Sequence, residues 1–212
     1  MFDISEELEQ YILNQARGED DLLYELYRAT HKQILHPRML SGHLQGKVLE
    51  MISKMLHPRA ILEIGTYTGY SAICLARGLA LEGKLDTIEI NDELEDFIRH
   101  YFDRSGLQDH IRLHIGDALK LIRHQEGPYD LIFIDGDKRQ YPEYLELCRP
   151  LLPPGGTLLV DNVLWDGKIL EEPTGDPHTR GIQQFNEMVR DDPQMESIIL
   201  PIRDGLMIAK KR

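Results

Sequence analysis

The sequence predicts an α/β fold: a mostly parallel sheet with helices on both faces. Three observations carry this expectation. From residue 58 onward, apolar runs of strand length alternate with amphipathic helical segments, the pattern of repeated strand–helix–strand units. The strand cores are apolar throughout rather than alternating, as expected when both faces of a sheet are buried. Near the C-terminus, Asp204-Gly205 separates two apolar runs. That is a hairpin signal, so the last strand should run antiparallel.

The chain reads as one domain over residues 1–212, with a helical extension (1–57) before an α/β core (58–212). Ser5 before Glu6-Glu7-Leu8 has the form of an N-cap followed by acidic first-turn residues. Leu8, Tyr11, Ile12 and Gln15 keep a helical stripe. A second helix is expected over 20–34, with Leu22, Leu23, Leu26 and Tyr27 on one face, and His36-Pro37 breaks it. A third runs over 42–56 and stops before Pro58. Strands follow at 60–64, 85–90, 111–115, 131–135 and 156–161. The intervening helices are expected at 70–81, 92–105, 118–123 and 141–151. Residues 165–179, rich in Gly, Pro and Asp, read as a polar loop, and a helix follows at 181–190. Two apolar stretches, 195–200 and 206–209, close the sheet and bring the strand count to seven.

Composition narrows the partners. The 212 residues carry a net charge of −12, which argues against a nucleic-acid backbone or an anionic membrane surface as the main partner. An apolar fraction of 42% is that of a folded globular chain. No apolar run approaches the roughly 20 residues of a membrane span. The acidic start, Phe2-Asp3-Ile4-Ser5-Glu6-Glu7, is unlike a signal peptide. Cys74 and Cys148 lie far apart without metal-ligand spacing, so two reduced core thiols in a cytoplasmic protein are expected.

The most informative segment is Ile61-Leu62-Glu63-Ile64-Gly65-Thr66-Tyr67-Thr68-Gly69-Tyr70-Ser71. It reads as a buried strand, a glycine-punctuated turn and a helix start, where a nucleotide-like cofactor is expected. Glu63 puts a carboxylate where a pyrophosphate site would present bare N–H groups. A cationic ligand without phosphate suits it better, and S-adenosylmethionine has a sulfonium, an ammonium and no phosphate. Ligands of open parallel sheets bind at the carboxyl ends of the strands. Glu63, Glu89, Asp117, Asp135 and Asp161 stand at or just after five successive strand ends. Glu89 follows Gly65 at a distance suited to gripping a ribose diol. Asp117-Ala118 is placed to meet an adenine ring, although Asp117 would equally cap the next helix.

Two further motifs suggest a reaction site. Phe133-Ile134-Asp135-Gly136-Asp137-Lys138 and Leu159-Val160-Asp161-Asn162-Val163 end adjacent strands. Asp135, Asp161 and Asn162 form an all-oxygen donor set, right for Mg²⁺, Ca²⁺ or Mn²⁺ and poor for zinc. Three protein ligands leave three octahedral positions, enough for two oxygens of a vicinal diol and one water. Lys138 is a candidate general base or a charge stabiliser for a phenolate. Trp165 either walls an aromatic acceptor pocket or anchors its loop. His178 and Arg180 read as solvated loop residues or as partners for a substrate anion.

Together, the segments Glu63–Ser71, Ile88-Glu89, Gly116-Asp117-Ala118, Asp135-Gly136-Asp137-Lys138 and Asp161-Asn162-Val163 resemble the cation-dependent class I O-methyltransferases, which include the catechol and caffeoyl-CoA enzymes. The resemblance runs from about Met39 to the C-terminus, and Gln45-Gly46 also matches the family segment that closes over the cofactor. It implies a Rossmann-like class I methyltransferase fold with seven strands and an antiparallel last strand. It also implies that Met39, Glu63, Gly65, Ser71, Glu89, Ala118 and Asp135 contact S-adenosylmethionine. Asp135, Asp161 and Asn162 would hold the metal, and Lys138 would be the base. A homodimer is usual in the caffeoyl-CoA-like branch. Three positions depart from the family pattern. Gly136, His43 and Arg203 stand where relatives often carry alanine, proline and glycine.

The implied reaction is in-line transfer of a methyl group to a hydroxyl of a small aromatic diol, carried by positioning and electrostatics. Other readings are weaker. An NAD-linked dehydrogenase needs Gly-x-Gly-x-x-Gly, whereas Gly65 and Gly69 are three residues apart and Glu63 precedes them. A nucleic-acid or protein methyltransferase sharing the fold does not match Asp135-Gly136-Asp137-Lys138. A non-catalytic cofactor-binding protein would have no need of Asp135, Lys138, Asp161 and Asn162 together.

Overall fold

The computed structural model describes residues 5–16 and 19–212. The acidic start at 1–4, and residues 17–18 of the expected helical extension, lie outside the described residues.

The extension is helical as its capping pattern requires. Helix α1 (Glu6–Gln15) is capped by the Ser5 hydroxyl, which accepts from the Leu8 N–H. Helix α2 (Asp21–Gln33) is capped by Asp20, which accepts from the Leu23 N–H. Pro37 ends the helical run and starts a short 3₁₀ turn, Pro37–Met39, which leads into α3 (Gly42–Leu56).

Strands β1 (Ala60–Ile64), β2 (Lys84–Glu89), β3 (Ile111–Ile115), β4 (Leu131–Ile134), β5 (Thr157–Val160), β6 (Met195–Leu200) and β7 (Leu206–Lys211) form one sheet in the order β3-β2-β1-β4-β5-β7-β6. The first five are parallel to one another, and β7 runs antiparallel to both β5 and β6. The crossovers are α4 (Tyr70–Ala76), α5 (Glu95–Ser105), α6 (Ala118–Leu121) and α7 (Tyr141–Cys148), and α8 (Pro177–Asp191) precedes the final hairpin.

Strand periodicity divides the core. Ile61, Leu85, Leu131, Phe133 and Leu159 face one side, where they pack with Leu26 of α2, Leu49 of α3 and Ile73 of α4. Leu62, Ile64, Ile132, Ile134, Leu158 and Val160 face the other, against Tyr141 and Leu145 of α7 and Ile182 and Phe185 of α8. Successive side chains of a strand point to opposite faces, so fully apolar strands feed two cores. Each fully buried Leu, Ile or Phe contributes about 1.5–3 kcal/mol. The helical extension is therefore part of the covering of one sheet face.

Three expectations need correction. Helix α4 ends at Ala76 rather than residue 81, because the chain turns there and the Ala80 N–H donates to Pro58 O. The expected loop 165–179 is shorter and more ordered. Residues Trp165–Leu170 form a kinked 3₁₀ segment, and α8 begins at Pro177, with the Asp176 carboxylate accepting from the His178 and Thr179 N–H groups. Proline at a first helical position and aspartate before it are a strong start signal. Finally, Asp204-Gly205 is not a two-residue turn. Leu200 pairs with Leu206, so residues 201–205 make the connection. Asp204 O and Gly205 O accept from the Leu164 and Val163 N–H groups, which ties this hairpin tip to the end of β5.

Candidate active site

A cavity of about 1120 Å³ opens at the carboxyl ends of β1 to β5. Met39, Gly65, Glu89, Asp117, Ala118, Asp135, Lys138, Asp161, Asn162 and Trp165 are among the residues that line it. Its volume exceeds that of most small-ligand clefts, which run roughly 300–1,000 Å³, so it can hold a cofactor and a second molecule together.

At the β1–β3 end, the glycine turn is shaped by close approach. Gly65 has φ +98, and a Cβ on it would run into the backbone carbonyl of Asp135. Only glycine combines that dihedral with that contact. The Gly65 and Thr66 N–H groups both donate to Ile88 O, which holds the turn onto β2. Glu89, at the end of β2, accepts from the N–H groups of Tyr67 (2.6 Å) and Asn91 (2.9 Å). Burial raises its pKa, and these backbone donors pull the other way. Asp117 lines the cavity and also caps α6, accepting from the Leu119 N–H at 3.0 Å. The capping role foreseen for it is thus filled.

Glu63 and Ser71 are not brought to the cavity lining. Glu63 is wholly buried inside β1, where the Thr87 hydroxyl donates to its Oε2. Its Oε1 has no hydrogen-bond partner among the described residues. Burial pushes its pKa up to about 8, and the hydroxyls of Ser71 and Thr87 offset this only in part. The carboxylate lies one residue before the strand end, so it sits beneath the glycine turn rather than above it. Near neutral pH it is largely protonated.

At the β4–β5 end, Asp135 follows β4 directly and Lys138 opens a 3₁₀ turn, Lys138–Gln140. The turn is started by Asp137, whose carboxylate accepts from the Arg139 N–H. Lys138 Nζ donates to Asp135 Oδ1 at 2.7 Å and to Gly136 O at 3.1 Å. The lysine side chain is only 11% exposed, so it is not the solvent-facing neutraliser that surface lysines usually are. Burial alone would lower its pKa, but the adjacent Asp135 charge raises it well above the ordinary lysine range. Lys138 is therefore charged in this state, the form that stabilises a phenolate rather than removes a proton.

Asp161 follows β5. Burial raises its pKa, and the like charge of Asp135 raises it further. Asn162 adopts φ +58, a left-handed conformation that asparagine tolerates better than most residues, and lines the same wall. Among the described residues, no three His, Cys, Asp or Glu side chains gather in a metal-holding group. The available donors are two carboxylates and one amide oxygen. That set suits a hard divalent cation, whose charge would offset the repulsion between Asp135 and Asp161.

Trp165 serves both as wall and as anchor. Its indole lines the cavity and donates to Asp176 Oδ2 at 3.3 Å, and its ring stacks on His178 at 6.0 Å between centroids. His178 reaches the cavity, whereas Arg180 is exposed and donates to the carbonyls of Thr174 and Gly175. Gly136 also has a local reason. A Cβ there would come within 3.0 Å of Tyr144 and 3.2 Å of Ile64, so glycine lets both close on the Asp135 turn.

Several lining residues carried no sequence signal of their own. His36 and Arg38 come from the 3₁₀ turn before α3, Tyr144 from α7, and Arg203 from the final hairpin. Tyr67 could have been found, since its place between Gly65 and Gly69 puts its backbone N–H over Glu89.

Comparison with known proteins agrees with this geometry. The sequence profile of the O-methyltransferase family matches residues 14–212. A catechol O-methyltransferase from Niastella koreensis is 32% identical, with 97% of each chain covered. Caffeoyl-CoA O-methyltransferase 1 of Arabidopsis thaliana is 30% identical, covering 98% of this chain and 85% of its own. The crystal structure of an O-methyltransferase from Bacillus cereus, in complex with S-adenosylhomocysteine, superposes with a TM-score of 0.92 at 31% identity over 97% of each chain. A seven-stranded sheet with its last strand reversed, acidic strand ends around one cleft and a match over nearly the whole length together place this chain in the O-methyltransferase family.

Proposed function

We propose that this enzyme transfers a methyl group from S-adenosylmethionine to one hydroxyl of a small aromatic vicinal diol, of catechol or caffeoyl type, with a divalent cation. One observation supports this reading above the others. Asp135, Asp161, Asn162 and Lys138 share a cavity with the Met39, Gly65, Glu89 and Ala118 surface. A methyl donor and a chelating acceptor thus have adjoining places.

On the donor side, Glu89 would accept from the ribose hydroxyls, and Asp117 with Ala118 would meet the adenine. Gly65, Met39 and Asp135 would border the methionine end, with Ser71 and the buried Glu63 behind it. On the acceptor side, Asp135, Asp161 and Asn162 would hold Mg²⁺, Ca²⁺ or Mn²⁺. Such a cation, when bound, lowers the pKa of a coordinated hydroxyl and fixes its direction. Lys138 then stabilises the oxygen charge that remains, and Trp165 with His178 forms an aromatic wall. A C–O bond forms as the C–S bond breaks, the electron pair stays on sulfur, and S-adenosylhomocysteine leaves. The hydroxyl proton is lost to solvent. Cavity walls that exclude water strengthen these charge interactions.

Free, buried Cys74 and Cys148 suit a reducing, cytoplasmic setting. A homodimer is part of the same proposal, with exposed Tyr24 of α2 and Met51 and Met55 of α3 as apolar surface for it. The decisive assay incubates the protein with S-adenosylmethionine and a catechol-type acceptor in Mg²⁺ and then in excess EDTA. Methylation is expected in Mg²⁺ and lost in EDTA. Undiminished methylation in EDTA would rule out the cation.

A further inference from the structure

Arg203 stands out on two independent grounds. It occupies the connection between β6 and β7 with φ +50, a conformation that favours glycine and strains a residue with a side chain. Yet its guanidinium leaves the hairpin and crosses to the segment between α2 and α3. Its Nη1 donates to Leu40 O at 3.2 Å, to Ser41 O, and to Gln45 Oε1 at 2.7 Å. Those acceptors belong to the stretch that directly follows Met39 and begins α3. The hairpin is tied in turn to the residues after Asp161 through Leu164 N–H and Asp204 O. One side chain thus joins the covering segment on the cofactor side to the end of β5 on the acceptor side.

The contact to Gln45 carries further consequences. Gln45 is 1% exposed. An arginine has donors only, so it can face only the oxygen end of an amide. With Oε1 held by Arg203, the NH₂ end must point the other way. That Nε2 is buried and has no hydrogen-bond partner among the described residues. A buried, unpartnered donor is costly unless some state of the site uses it.

We propose that Arg203 is a positioning residue: it clasps the 36–45 segment over the cofactor and fixes the direction of the Gln45 amide. This rests on the reading of the cavity as a cofactor site beside a cation site. Arg203 touches neither reacting atom. It acts through the Met39 segment, for cofactor retention.

The strained dihedral supplies a clean variant. Arg203→Gly relieves the backbone while removing the clasp, so its fold should be at least as stable as the parent. Calorimetric titration with S-adenosylhomocysteine is expected to show a Kd about tenfold higher, the loss of roughly one charge-assisted hydrogen bond, at an unchanged or higher Tm. Arg203→Lys, which keeps charge but offers no planar fork, should fall between. Equal S-adenosylhomocysteine affinity, within twofold, in Arg203→Gly and parent would overturn the clasp. Weaker binding together with a lowered Tm would also overturn it, by assigning Arg203 to fold stability. A parent protein that binds no S-adenosylhomocysteine at all would instead refute the reading of the cavity on which the proposal rests.

Discussion

The two halves of the cavity hold their carboxylates by different means. At the β1–β3 end, backbone groups dominate: Glu89 accepts from two N–H groups and Asp117 caps a helix. At the β4–β5 end, side chains dominate. Asp135 is paired with Lys138, and Asp161 lies between the influence of Asp135, Gln45 and Lys138. Backbone donors are fixed by the fold and change little when a ligand binds. Charged side chains can exchange partners, which a site needs when a cation and an acceptor come and go. On the proposed reading, the β1–β3 end is built for retention and the β4–β5 end for rearranging charge.

That contrast can be broken from either side. The largest effect is expected from Asp161→Ala, which removes a cation donor; turnover in Mg²⁺ should fall about 1,000-fold, measured as methyl transfer to a catechol. Next, Lys138→Ala should lower kcat by about 100-fold with a smaller change in the KM for S-adenosylmethionine, while Lys138→Arg recovers part of the rate. On the donor side, Glu89→Gln should act the other way. The KM for S-adenosylmethionine should rise about tenfold, the scale of one hydrogen bond to a charged group, with kcat little changed.

The smallest effect concerns Glu63 and appears in stability rather than rate. Its folded pKa of about 8 lies above its ordinary value of 4.5. The folded state binds this proton more tightly than the unfolded chain. The stability it contributes is therefore full below pH 4.5 and lost as pH rises through about 8. Glu63→Gln, which is always neutral, should match the parent near pH 4 and exceed it increasingly as pH rises toward 8 in urea unfolding. A parent–variant difference that does not vary with pH would show that Glu63 is already ionised in the folded protein.

Most of the architecture was legible because it rests on local patterns. Apolar strand runs, Ser5 before a helix, and Pro37 and Pro58 after helices marked β1, β3, β6 and α3 to the residue. The strand-end carboxylates were legible because the parallel sheet brings successive C-terminal ends to one edge. What escaped depended on depth and on long-range contact. Glu63 and Glu89 look alike in sequence, but one position along a strand separates a sealed carboxylate from one that lines the cavity. Arg203 meets Gln45 from 158 positions away, and no local pattern encodes such a pairing. The early start of α8 was readable from Asp176-Pro177, but the surrounding Gly, Pro and Asp residues masked it.

The division of the cavity is tested most directly by the affinity of Asp161→Ala for S-adenosylhomocysteine. A Kd within about threefold of the parent is expected, since the donor half does not depend on Asp161. Loss of S-adenosylhomocysteine binding in the folded variant, with Mg²⁺ affinity retained, would contradict the separation of the two halves.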